Sequence, residues 1–429
     1  MLKKFFLFSL LITTVTFAQW VNTGAWPDTS LKGQLHGIAV DPAGKVWVGN
    51  FAAERFLPPG GGPTDSVTAN LIRVYNPDGS PASFSPIWRL IGPDFNDTLK
   101  GTNMRGMRPD HNGNILVTLG NQIMYRINYQ TGAGMKKVNV ALGTSPTAPA
   151  VSNTGQIFVG PVVNAGAPIK EFDSEFNFVG NVTTLSQTGF SRSMECSPDG
   201  NTVYFPIYTR QRIIVYSRPN EFAPFDSVGT IMDGAACESI TRNRATGRLW
   251  IAAGSMNDRP DSTFYPYSVN TWYEYNLANN QITDSLKWNF LIPLNPNERP
   301  RGIDFSPNGN IAYIGCFGGS GYALVQRVQK TVNVDDPGMT VVDGYALSQN
   351  YPNPFNPSTK INFTLAKAGY VTLKVYDVLG NEIATLVDGE KTAGEHSVNF
   401  DASGFSSGMY VYQLNVNGVR ISNKMTLMK

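Results

Sequence analysis

The stretch Arg301–Ile314, RGIDFSPNGNIAYI, decides how the chain reads. Ile303 and Phe305 alternate with other residues, Ser-Pro-Asn-Gly follows, and the alternation resumes at Ile311 and Tyr313. The pattern is strand, tight turn, strand. Proline sets φ at the first central turn position, and Gly309 takes the positive φ that a side chain resists.

The phrase recurs as HGIAVDPAGKVWV (His36–Val48), RGMRPDHNGNILV (Arg105–Val117), TAPAVSNTGQIFV (Thr147–Val159), RSMECSPDGNTVYF (Arg192–Phe205) and ESITRNRATGRLWI (Glu238–Ile251). Its turn glycines, Gly44, Gly113, Gly155, Gly200, Gly247 and Gly309, lie 69, 42, 45, 47 and 62 residues apart. A period of ~40–50 residues with room for four short strands marks a propeller blade. One such sheet cannot bury both faces, whereas a ring of them can. The chain is therefore expected to be all-β, with a six-bladed propeller as first choice and seven blades as the alternative.

Ring closure has its own signal. WPDTSLKG (Trp26–Gly33) is echoed by DFNDTLKG (Asp94–Gly101), each just before a copy of the phrase. Trp20–Thr23 is thus expected to be an outermost strand, as Trp88–Ile91 would be in its own blade. The last blade, which has inner strands and a third at Tyr322–Val328, lacks a fourth, so the N-terminal strand would complete it and remove two open sheet edges.

The 429 residues, 41% hydrophobic and 11% aromatic, suffice for several hundred folded residues. The formal net charge of +2, from 34 basic and 32 acidic residues, gives no reason to expect nucleic acid or an anionic membrane as partner. Residues 1–18 read as a secretory signal: Lys3 and Lys4, an apolar Phe5–Val15, then Thr16-Phe17-Ala18. No later stretch has the unbroken apolar length of a transmembrane helix. The three cysteines, Cys196, Cys237 and Cys316, are odd in number and scattered, so buried thiols are expected rather than a disulfide framework. No Cys/His spacing suggests a metal, and no cofactor motif is present.

In a propeller blade the loops after the second and fourth strands share one rim. The two long spacings come from insertions after the second strand, Phe51–Asn70 and Gly254–Asn270, so both should rise from that rim. The first residue of each phrase begins its inner strand there: His36, Arg105, Thr147, Arg192, Glu238 and Arg301. Three arginines converging on a narrow channel need compensation. One possibility is a ligand site in which Arg105, Arg192 and Arg301, with His36 and Glu238, hold a carboxylate, phosphate or sulfate. The other is a water-filled channel in which Glu238 satisfies one arginine.

Enzyme signatures are sparse. Of three histidines only His36 is placed for proton transfer in the channel, and no nucleophile elbow, phosphate loop or zinc-protease helix occurs. Two readings stay open. One is a non-enzymatic binding module for a glycan, peptide or small anion, using the aromatics Phe51, Phe56, Tyr265, Tyr267 and Trp272. The other is a lyase or hydrolase with His36 and Glu238 as acid/base groups.

These phrases resemble the NHL, streptogramin-lyase and gluconolactonase-like propellers over roughly residues 20–330. The gluconolactonase-like members bind a divalent metal through channel acids and an asparagine. Here only Glu238 stands in such a place, among arginines that repel a cation. The lyase relatives use a channel histidine, for which His36 is the match.

After Val334 the character changes. Asp335–Gly344 reads as a linker, and a separate domain of 345–429 follows. Its motifs are NYPNPFNP, the hairpin VYDVLGNEI, a strand ending VNFD, SSGMYVY and a closing basic strand to Lys429. In that order they resemble the type A sorting domain of the type IX secretion system, an immunoglobulin-like β-sandwich. The resemblance implies export through the periplasm, recognition of this domain by the translocon, and delivery of residues 19–334 to the cell surface or medium.

Overall fold

The computed structural model describes residues 19–429 apart from 28–33, 63, 101–102, 164–165, 185–188, 254–266, 269–270, 288–298, 318–324, 332–339, 343–344, 351, 366, 379 and 418. The expected signal segment, Tyr265 with most of the second long insertion, and most of the expected linker lie outside the described residues. The chain divides into two compact units, Trp20–Lys330 and one that holds Thr331–Lys429.

In the first unit each phrase forms the two inner strands of an antiparallel sheet. The inner pairs are Leu35–Val40 with Val46–Asn50, Met104–Pro109 with Ile115–Leu119, and Ala150–Val151 with Ile157–Val159. They continue as Glu195–Cys196 with Thr202–Ile207, Ile240–Arg242 with Leu249–Ala253, and Arg299–Phe305 with Ile311–Phe317. The turn chemistry explains why. All six turn glycines have positive φ, from 70° at Gly200 to 95° at Gly155. The residue before the turn ties it down: Asp41 Oδ1 accepts from the N–H groups of Ala43 and Lys45, each at 2.9 Å. Asp110 Oδ1 does the same for Asn112 and Asn114.

Each inner strand packs against the next, and Arg299–Phe305 packs against Leu35–Val40, so the sheets formed by the described residues close into a ring. A side chain at Gly106 would collide with the Cβ of Ala148, just ahead of the next inner strand, which is why a residue without Cβ stands there. Apolar clusters fill the gaps between neighbouring sheets: Trp250 and Trp272 of one sheet pack with Ile303, Phe305 and Ile314 of the next.

The ring closes through the N-terminal strand. Gln19–Ala25 lies at the outer edge of the sheet of Val325–Thr331, Ile311–Phe317 and Arg299–Phe305. Thr23 Oγ1 donates to the carbonyl of Arg327 at 2.8 Å, and the Trp26 N–H to that of Val325 at 2.9 Å. The supposed counterpart behaves differently. Among the described residues Arg89–Gly92 pairs only with Phe95–Thr98 in a separate hairpin, and the first sheet's outer edge is held by the bridges Ile72↔Ile87 and Tyr75↔Pro81. Pro81 and Pro86 have no N–H to give a ladder, so a regular fourth strand cannot form there.

In the second unit, Thr340–Val342, Tyr345–Leu347, Ser358–Leu365 and Gly394–Asp401 form one sheet. Glu382–Lys391, Gly369–Tyr376, Gly408–Val416 and Val419–Leu427 form the other. Alternate residues of both, among them Ile361, Phe363, Leu373, Val375, Tyr412 and Leu414, make one shared core. Thr340–Val342, inside the stretch read as linker, pairs with Tyr345–Leu347. The NYPNPFNP motif is anchored by Asn350, whose N–H donates to Tyr412 Oη at 2.8 Å. Its Nδ2 donates to the Pro352 carbonyl and to Thr359 Oγ1, both at 2.9 Å.

Candidate anion site at the loop-bearing rim

The inner strands begin, as the topology requires, at the rim carrying the loop after Val46–Asn50. The Phe51 N–H donates to the Gln34 carbonyl at 2.7 Å, and the Met104 N–H to the Phe51 carbonyl at 3.1 Å. The phrase-leading residues therefore gather, but not as equals.

Arg301 sits at the centre. Its Nε is 2.7 Å from Glu238 Oε2, and both side chains are essentially inaccessible, at 2% and 0%. Its Nη1 lies 3.1 Å from His36 Nε2, and its guanidinium stacks on Phe317 with 4.7 Å to the ring centroid. His36 Nδ1 is 3.1 Å from the Arg105 carbonyl. A carbonyl only accepts and a guanidinium only donates, so Nδ1 carries the proton and Nε2 accepts: His36 is held neutral. Burial is the main cause that pushes its pKa well below the ordinary 6.5, with Arg301, Arg192 and Arg105 adding to it. His36 and Glu238 do meet at a common point, and that point is the Arg301 guanidinium.

Arg105 and Arg192 are arranged otherwise. Each is partly buried, and among the described residues neither has a carboxylate within ion-pair distance. Arg105 Nη2 donates to Ser145 Oγ at 3.1 Å, and Arg192 Nη2 to Tyr208 Oη at 3.2 Å, while the buried Nε of each has no acceptor. Aromatic faces cover them: Phe51 lies 5.2 Å from Arg105, and Phe190 and Tyr208 lie 5.8 and 5.6 Å from Arg192. Burial and the neighbouring Arg192 bring the Arg105 pKa down to about 10. Thr147, the remaining leading residue, is fully buried and turned into its own sheet, where its Oγ1 accepts from the Gly160 N–H at 3.2 Å.

Of the aromatics expected on this rim, Phe51 stands against His36 and Arg105. Phe56 packs on Trp88 and Tyr267 on Tyr273, whereas Trp272 is wholly buried between sheets. Trp272 is thus a core residue, because the strand Thr271–Asn276 turns it inward.

A second polar layer lies deeper. The fourth position of the phrase supplies Arg108, Glu195, Thr241 and Asp304, all buried. Arg108 crosses the axis: it donates to Thr241 Oγ1, to the Ile240 carbonyl at 2.9 Å, and lies 3.6 Å from Glu195. Between the layers the axial cavity is about 20 Å³, room for roughly one water. These polar and charged residues stand three places after the leading residue in four of the six quoted phrases, with Ala39 and Ala150 in the other two. Their recurrence in one column was the available signal.

Cys196 and Cys237 are buried free thiols, and burial raises the pKa of both. Among the described residues no cluster of three metal-ligating side chains occurs.

Comparison with known proteins bears on the second unit. Residues 349–428 match the family described as the secretion system C-terminal sorting domain. The chain is cargo of the type IX secretion system, exported to the cell surface or outer membrane. No helix among the described residues is long and apolar enough to cross a membrane. No curated protein matches the chain. Among solved structures it is similar to PorZ of Porphyromonas gingivalis, described as an essential bacterial surface component of the type IX secretion system. The identity is 14% over 91% of this chain and 51% of that one, with a TM-score of 0.38, so the chain spans about half of PorZ's length. It is also similar to the calcium-binding protein regucalcin from Agrobacterium tumefaciens, at 11% identity over 72% of this chain and 96% of that one, TM-score 0.47. A chain of the mitotic checkpoint complex matches at 12% over 73% and 91%, TM-score 0.43. Such distant likenesses say nothing about ligand or activity.

Proposed function

We propose that the Trp20–Lys330 unit is a non-enzymatic binding module that takes an acidic glycan or a similar carboxylate- or sulfate-bearing ligand at the loop-bearing rim. The observation that carries this reading is the pair Arg105 and Arg192: two guanidiniums close enough to repel, partly buried, roofed by Phe51, Phe190 and Tyr208, with no carboxylate of their own. An anion there would relieve the repulsion and use idle N–H donors, and aromatic faces suit sugar rings. A channel lyase or hydrolase finds less support. Both nitrogens of His36 are engaged and Glu238 is committed to Arg301, so neither is free to move a substrate proton.

The test is a thermal-shift titration of the purified chain with polygalacturonate fragments, heparin oligosaccharides and a neutral glucan. The acidic ligands should raise the melting temperature and the glucan should not. Arg105→Ala and Arg192→Ala should each abolish the shift while changing intrinsic stability by less than ~0.5 kcal/mol. Absence of any acidic-ligand shift in the wild-type protein would sink the proposal.

A further inference from the structure

A cavity opens at the opposite rim, under the tight turns of the phrases. Its volume is about 470 Å³, within the range of small-molecule sites, ~300–1,000 Å³. It is lined by Pro42, Pro109, Pro307, Tyr129 and Phe305, which give it an apolar wall. The charged groups set into that wall are almost all accounted for. Of the lining carboxylates, Asp41 has Lys45 at 4.0 Å, Asp110 has Arg126 at 2.8 Å and Glu195 has Arg108 at 3.6 Å. Of the lining cations, Arg108 is spent on Glu195, Thr241 and backbone carbonyls, and Arg244 is paired with Asp304 at 2.9 Å.

Arg242 is left over. It is 7% exposed, and among the described residues no carboxylate lies within 4.0 Å of its guanidinium. Of its side-chain donors only Nη2 finds an acceptor, the Val151 carbonyl at 3.2 Å, and the buried Nε has none. Glu195 binds the Arg242 backbone N–H instead, at 2.9 Å, and its other oxygen accepts from the Cys196 N–H at 3.0 Å. A buried guanidinium with idle donors at the wall of a cavity of this size is the arrangement that a ligand anion completes.

We infer that this cavity is a second binding site, for a small organic carboxylate whose acid group pairs with Arg242 and whose body lies against the proline and tyrosine wall. The site is independent of the one proposed at the loop-bearing rim, and the experiment keeps the two apart. In an Arg105→Ala/Arg192→Ala background, calorimetric titration with glucuronate and with benzoate should still show saturable binding, with glucose as the uncharged control. Adding Arg242→Gln should weaken that binding at least about tenfold, the cost of one lost charge-assisted contact.

Asn112→Trp, at an exposed turn beside the cavity, should block binding without touching the guanidinium, and it decides the matter if Arg242→Gln does not fold. Saturable carboxylate binding lost with both cavity variants supports the site. No saturable binding in the background protein, binding that both cavity variants retain, or equal binding of glucose overturns it.

Discussion

Arg301 Nε lies 2.7 Å from Glu238 Oε2, in a pair with almost no exposure to solvent. The two residues open neighbouring phrases, Glu238 just ahead of the strand Ile240–Arg242 and Arg301 within Arg299–Phe305. The pair separates Arg301 from Arg105 and Arg192, with which it shares a place in the phrase but not a role. Removing one partner of a buried pair strands the other charge, which costs ~3–5 kcal/mol, whereas replacing both by apolar residues is often neutral. We therefore expect Arg301→Ala to destabilise the ring severely in urea denaturation, and Arg301→Met/Glu238→Leu to recover most of the loss. A single variant as stable as the wild type would show that the pair does not act as a buried unit.

His36 makes stability depend on pH in a defined direction. Its folded-state pKa is depressed, so between that value and the ordinary 6.5 the unfolded chain binds a proton that the folded chain refuses. Stability from this group is complete above pH ~6.5 and falls as pH drops below it, by up to about 1.4 kcal/mol per unit. Melting temperatures from pH 7.5 to 4.5 should decline more steeply for the wild type than for His36→Gln. Parallel curves would mean that His36 does not stay neutral in the fold.

The N-terminal strand should matter out of proportion to its length. Trp20 packs edge-on against Trp250, with centroids 5.5 Å apart, and its Nε1 donates to Asp284 at 2.9 Å. Trp26 stacks edge-on against Tyr313 at 4.8 Å. Deleting residues 19–26 exposes the edge of Val325–Thr331 and these rings, so the melting temperature should fall by several degrees. Trp20→Ala alone should cost ~2–3 kcal/mol, since the ring is only partly buried. Unchanged melting after the deletion would refute closure through this strand.

The sorting domain predicts where a truncated protein ends up. A chain lacking residues 345–429 should accumulate inside the outer membrane with its ring intact. Surface biotinylation and fractionation give the readout. Truncated protein at the surface in normal amount would contradict the assignment.

Much of this was legible from sequence because it rests on local chemistry. A turn glycine with positive φ, a side-chain oxygen before it and alternating apolar residues act within a few residues, so the phrase reports two strands and a turn wherever it occurs. The tail was legible for a similar reason: Asn350 ties NYPNPFNP together through Pro352 and Thr359, a few residues away. The counterpart drawn between Trp20 and Trp88 shows where this stops. The N-terminal strand does complete the last sheet, but Trp88 leads into a separate hairpin, because prolines upstream had already broken the ladder.

The sequence by itself determined the repeat, the turns and the secretion tail, since each depends on neighbours in the chain, and it pointed to the ring-closing strand only through the missing fourth strand of the last sheet. Only the tertiary structure decided which charges are spent. Arg105, Arg192 and Arg301 are equivalent in the phrase. Whether a guanidinium meets Glu238, a tyrosine hydroxyl or a serine hydroxyl depends on which strand the ring sets beside it. The same holds for Arg108 and Arg242, one bonded across the axis and one with a single backbone acceptor beside a cavity. Arg108 bonds the carbonyl of Ile240, 132 positions away, and Arg242 that of Val151, 91 positions away, and no local pattern encodes such distances.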